Sequence, residues 1–109
     1  MASTAKVTSW TQSGLPTEAD LRRDMLAQGL QPYRWSNSPG DTYAPHSHPY
    51  HKVIYVVEGS ISFELPEEGS AISLSAGDRL YLPAGMLHDA QVGPQGVTCL
   101  EAHEKGDLP

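Results

Sequence analysis

His46-Ser47-His48-Pro49-Tyr50-His51 and, further on, Gly77-Asp78-Arg79-Leu80-Tyr81-Leu82-Pro83-Ala84-Gly85-Met86-Leu87-His88 are the stretches on which the reading of this chain turns. Successive side chains of an extended strand leave opposite faces, so His46 and His48 project the same way. Two imidazoles so spaced suit cis ligation of one metal ion, because neutral imidazole is a common ligand for Zn, Fe, Ni and Cu. The second stretch reads as a strand, a Pro/Gly turn and a histidine at the start of the next strand.

Working outward, the period stays that of strands. Val53-Ile54-Tyr55-Val56-Val57 is apolar throughout, as a strand covered on both faces should be. Ser60-Ile61-Ser62-Phe63-Glu64-Leu65 alternates, and Glu58-Gly59 between the two runs reads as the link of a hairpin. Pro66-Glu67-Glu68-Gly69 turns the chain toward Ile72 and Leu74. Two last strands fit residues 87–92 and 97–103, separated by Gly93-Pro94-Gln95-Gly96. About eight short strands with such punctuation predict an all-β sandwich or closed barrel.

The 109 residues suffice for one domain and not for two. We expect a flexible or loosely docked lead-in over 1–14, one helix over 17–28 and the barrel over 31–103. Thr17 and Asp20 form a capping-box pattern, with Leu15 placed to staple onto Leu21. Leu21 and Met25 share a helix face, and Gly29 suits the helix end. The net charge of −6 argues against a nucleic-acid partner, which requires clustered cations. Arg22-Arg23, the one adjacent basic pair, lies beside Asp20 and Asp24. No apolar run approaches a bilayer span, and residues 1–10 lack the apolar core of a signal peptide, so no membrane association and a cytoplasmic location are expected. Cys99 is the sole cysteine, set in an apolar run, and reads as a small buried hydrophobe.

Together the two histidine stretches resemble the paired signatures of the cupin family. The first signature is a glycine, five residues, His-x-His, three or four residues, Glu, six residues, Gly. Gly40, His46, His48 and Gly59 stand at its positions. The second is a glycine, five residues, Pro-x-Gly, two residues, His, then usually Asn, and Gly77, Pro83, Gly85 and His88 match it. The resemblance covers residues 40–92. It implies a jelly-roll β-barrel with one short N-terminal helix, a single cupin domain over 1–109. It also implies that His46, His48 and His88 converge on a divalent first-row transition metal (Zn, Fe, Ni or Mn), leaving positions open for a small-molecule substrate or water. Members of the family include dioxygenases, sugar isomerases and epimerases.

Two positions depart from the pattern. Lys52 stands where the family has its glutamate, and a charged ammonium cannot ligate a metal. Three readings follow: His51 swings in from the turn after Pro49 as a fourth ligand; the site has three histidines with Lys52 facing away; or the metal is gone and Lys52 helps form a pocket for an anion. Val92 replaces the usual Asn, a supporting position. Glu64 and Glu101 are strand carboxylates that offer no clear general base, and His51 could serve as one only if it is not a ligand. His103 reads as solvent-exposed, and Tyr43, Tyr50, Tyr55, Tyr81 and Met86 as core filling near the motifs. The chemistry points to a small-molecule metalloenzyme, dioxygenase- or isomerase-like; the alternatives are a non-catalytic small-molecule or metal-binding module and a scaffold barrel. Because 53–57 is apolar at both parities, one face needs cover from a partner subunit or from the segment around Trp10; cupins often pair through their sheets, so the resemblance implies a homodimer.

Overall fold

A computed structural model describes residues 4–11 and 14–105. The elements run β1 (Lys6–Thr8), α1 (Glu18–Ala27), β2 (Tyr33–Asn37), β3 (Thr42–His46), β4 (Tyr50–Leu65), β5 (Ser70–Ser75), β6 (Arg79–Leu82) and β7 (His88–Lys105). All strand pairings are antiparallel, in the order β1-β6-β4-β7-β2, with β3 also on β7 and β5 also on β4. The expected all-β barrel with one helix is what forms. Within the lead-in, Lys6–Thr8 docks on Arg79–Tyr81 as a short strand; residues 1–3, 12 and 13 lie outside the described part.

The largest correction concerns strand count. Neither Glu58-Gly59 nor residues 93–96 ends a strand; both are bulges within two long strands, β4 and β7, that pair along most of their length. Val56 faces Cys99, Glu58 faces Thr98 and Gly59 faces Val97, and then the register jumps so that Ile61 faces Val92. Gly59 has φ +81°, and a Cβ placed there would lie 2.0 Å from the Gly96 carbonyl oxygen. Only a glycine lets the two backbones approach so closely, and the same position bends β4 from one part of the barrel to the next.

Parity along β4 then sorts the core. Ile54, Val56, Ile61 and Phe63 face the barrel interior with Leu74, Leu80, Leu82, Val92 and Cys99. Val53 and Tyr55 face the other way, onto Leu21, Met25 and Leu30, with Trp10 and Tyr81 packed alongside. The cover sought for the second face of β4 therefore comes from α1 and Trp10 of the same chain. Burying Leu21 and Met25 completely is worth about 2 kcal/mol each.

Thr17 caps α1 and closes the reciprocal box with Asp20, and Gln28 ends the helix before Gly29 at φ +80°. The predicted staple fails: Leu15 is 77% exposed, and the residue next to the cap, Pro16, is the one that is buried. Leu15 sits one position too early to fold back onto the first turn.

Candidate metal centre

His46 ends β3 directly opposite His88, which begins β7. His48 follows two residues later, and its carbonyl accepts a 2.7 Å hydrogen bond from Gly85 N. The Pro83-Ala84-Gly85 turn thus fixes the loop that carries His48. The three imidazoles each present a nitrogen within 4.8 Å of the others. Ring centroids are 4.4 Å apart for His46 and His88, 4.7 Å for His46 and His48, and 5.3 Å for His48 and His88. Nδ1 of His46 lies 2.6 Å from Ala44 O, and Nδ1 of His88 lies 3.0 Å from Met86 O. A carbonyl only accepts, so both Nδ1 atoms carry the proton and each ring keeps the Nε2 lone pair for a ligand bond.

His48 has different neighbours, Tyr50 Oη at 3.2 Å from Nδ1 and Lys52 Nζ at 3.2 Å from Nε2. Burial, then the Lys52 ammonium, then His46 and His88 push its pKa down to about 4. Burial foremost lowers His88 as well. Neutral imidazole is the form that ligates, so the donor set fits a divalent first-row ion, which His48 would join by giving up its contact with Lys52.

Three histidines come together here, not four. His51 lies in β4, where its parity sends it to the opposite face from Lys52; its Nδ1 accepts from Ala84 N at 2.9 Å and its ring lies beside Tyr81. Lys52 does not face away. Its side chain is 13% exposed, and Nζ stands between His48 and Glu101, 3.6 Å from Oε2 of the latter.

Glu101, read from the sequence only as a strand carboxylate, proves to be part of the site. It is buried, and its carboxylate accepts from the Tyr33 hydroxyl, from Trp35 Nε1 at 3.1 Å and from His103 Nε2 at 2.6 Å. Burial alone would raise its pKa, but the Tyr33 hydrogen bond, Lys52 and His103 together hold it below the ordinary value. Tyr33 is in turn raised, by burial first and then by Glu101. His103 is exposed as expected, yet it stacks on Tyr50 at 3.9 Å and completes the Glu101 cluster. The signal was available: a carboxylate inside the apolar run 97–102 is rarely buried without partners, and it shares parity with inward-facing Cys99.

The three histidines, Lys52 and Glu101 line one cavity of about 330 Å³, walled by Tyr33, Trp35, Tyr43 and Tyr50 and backed by Ile54, Ile61 and Phe63. Tyr55 and Tyr81 belong to the helix side, and Met86 packs on the interior cluster. Cys99 is buried, with its thiol pushed up to about 12 by burial and then Glu101, and is no nucleophile.

Residues 33–100 match the family model of the cupin domain, and the chain belongs to that family. Among solved structures it resembles the polyketide cyclase RemF of Streptomyces resistomycificus, with 29% identity, a TM-score of 0.59, and 68% of this chain and 54% of that one covered. It resembles KdgF of a Halomonas species at 28% identity and a TM-score of 0.57, over 72% of each chain. The DMSP lyase DddQ of Ruegeria pomeroyi is 25% identical with a TM-score of 0.62; the likeness covers 72% of this chain and 39% of that one. This chain thus spans about half of the cyclase and two fifths of the lyase. A search of curated proteins finds no match.

Proposed function

We propose that this cupin holds one divalent first-row metal ion through His46, His48 and His88 and acts as a small-molecule metalloenzyme in the adjoining cavity. The observation that carries the reading is the convergence of three imidazole nitrogens within 4.8 Å, with two rings oriented by backbone carbonyls. A bound ion would supply Lewis-acid polarisation of a substrate oxygen. The protein's own residues do the rest: Tyr33, Trp35 and Phe63 give the cavity aromatic walls, and the Tyr50 hydroxyl can hold or pass a proton beside the substrate. The cyclase and lyase among the structural relatives support a cyclisation or an elimination.

Elemental mass spectrometry on purified protein tests it. About one equivalent of metal is expected in the wild type and in His51→Ala, and little in His46→Ala. Loss in His51→Ala would restore the four-histidine site. A metal-free wild type that also refuses added zinc would favour the second reading, a non-catalytic module for an anion, which the Lys52 contact with His48 supports. We also take the protein to be a homodimer, with β1 as the meeting edge.

A further inference from the structure

The cavity contains one feature that metal binding does not use. Lys52 and Glu101 are the only Lys, Arg, Asp or Glu side chains among the described residues that line it. Both are largely buried, and they face each other at 3.6 Å. The oxygens of Glu101 are occupied by Tyr33, Trp35 and His103, so the carboxylate is a fixed counter-charge and not an open acceptor. Lys52 is less committed. An ammonium has three N–H donors, and its described partners are one lone pair on His48 and a carboxylate oxygen beyond hydrogen-bond length.

A charge count gives this meaning. Lys52 and Glu101 cancel, and three neutral imidazoles add nothing, so the reading of a divalent ion at the histidines leaves the cavity two positive charges in excess. A half-enclosed site with that surplus favours an anionic occupant over a neutral one. Were His48 to ligate the ion, Lys52 would lose that acceptor and keep a further donor for a ligand. The remaining walls are aromatic and aliphatic, among them Trp35, Ile54 and Phe63. At about 30 Å³ per water-sized group, 330 Å³ holds roughly ten non-hydrogen atoms.

We infer that the cavity takes a small organic carboxylate, with its carboxylate on Lys52 Nζ and its apolar body against Trp35 and Phe63. This rests on the metal reading for the strength of the preference and on Lys52 alone for its location. A phosphate ester fits less well, because it would meet one ammonium and no arginine.

The test is calorimetric titration of zinc-loaded protein with benzoate, its neutral isostere benzamide and phenyl phosphate, on the wild type and Lys52→Met, with zinc measured in each. Benzoate should bind the wild type at least about tenfold more tightly than benzamide, and Lys52→Met should lose most of that margin while keeping its zinc. Side-chain NMR of the wild type covers the case of a variant that does not fold: benzoate, and not benzamide, should shift the Lys52 Cε signal. A full benzoate preference in Lys52→Met, an unmoved Lys52 signal, or tighter binding of phenyl phosphate would each overturn the assignment. If the protein takes up no zinc, the metal reading fails by itself. The same Lys52-dependent preference, smaller in size, is then expected of the metal-free protein, and its absence there defeats the inference.

Discussion

At the scale of single residues, the site depends on which groups are charged in a confined space. His48 is held to about 4 against an ordinary 6.5, so in metal-free protein its ring should titrate near pH 4 by NMR. The unfolded chain takes up that proton first, so stability falls as pH drops from about 6.5 toward 4. Glu101 adds to this in a lower window: its lowered folded pKa stabilises above the ordinary 4.5, and that contribution is lost as pH falls through the folded value. The Lys52–Glu101 pair should also be asymmetric. Glu101→Ala leaves a buried ammonium with one imidazole acceptor and should cost about 3 kcal/mol. Lys52→Met leaves Glu101 with three donors and should cost about 1 kcal/mol or less by urea denaturation. Equal costs would mean that the pair, and not the donors around Glu101, stabilises the carboxylate. His46 and His48 were legible from their spacing, and His88 from the resemblance to the family's second signature. Lys52 and Glu101 meet across two strands in a register that no local pattern displays, so their pairing was not.

At the scale of elements, the bulge in β4 shows where period reading stops. The runs 53–57 and 60–65 are correctly strands, and Glu58-Gly59 has the composition of a tight turn. What makes it a bend within one strand is β7 alongside, whose own glycine, Gly96, sits against Gly59. A glycine at positive φ serves a turn and a bulge equally, and only the long-range partner distinguishes them. Two substitutions separate conformation from contact. Gly85→Ala keeps φ near +80° with nothing within 4 Å of the new methyl, so it should cost about 1 kcal/mol for the backbone alone. Gly59→Ala has the same φ and also drives a methyl into the Gly96 carbonyl, so it should cost several-fold more, about 3 kcal/mol or above. Thermal melts of the two variants side by side decide it; similar melting points would mean that β4 and β7 can separate at the bend without loss.

At the scale of the whole molecule, the apolar doubling of 53–57 pointed to extra cover, and the helix fulfils that need within one chain. The sequence shows that a strand has two buried faces but not whose atoms lie on them, since α1 and a second subunit would satisfy the same pattern. The proposed dimer would therefore use another surface. β1 stands at the end of the sheet order, hydrogen-bonded to β6 on one side. Its three residues are exposed, and Val7 among them is 42% exposed. A free strand edge carrying an exposed valine can pair with its own copy about a two-fold axis, which also hides the backbone groups that would otherwise invite uncontrolled pairing. Sedimentation velocity at micromolar concentration should give a dimer. Val7→Lys should shift it to monomer with the melting point nearly unchanged, because the side chain contributes little to either core cluster. A wild-type monomer would sink the dimer outright, whereas a dimer unmoved by Val7→Lys would place the interface elsewhere, with exposed Leu15 before the helix and Leu26 on it as the next residues to alter.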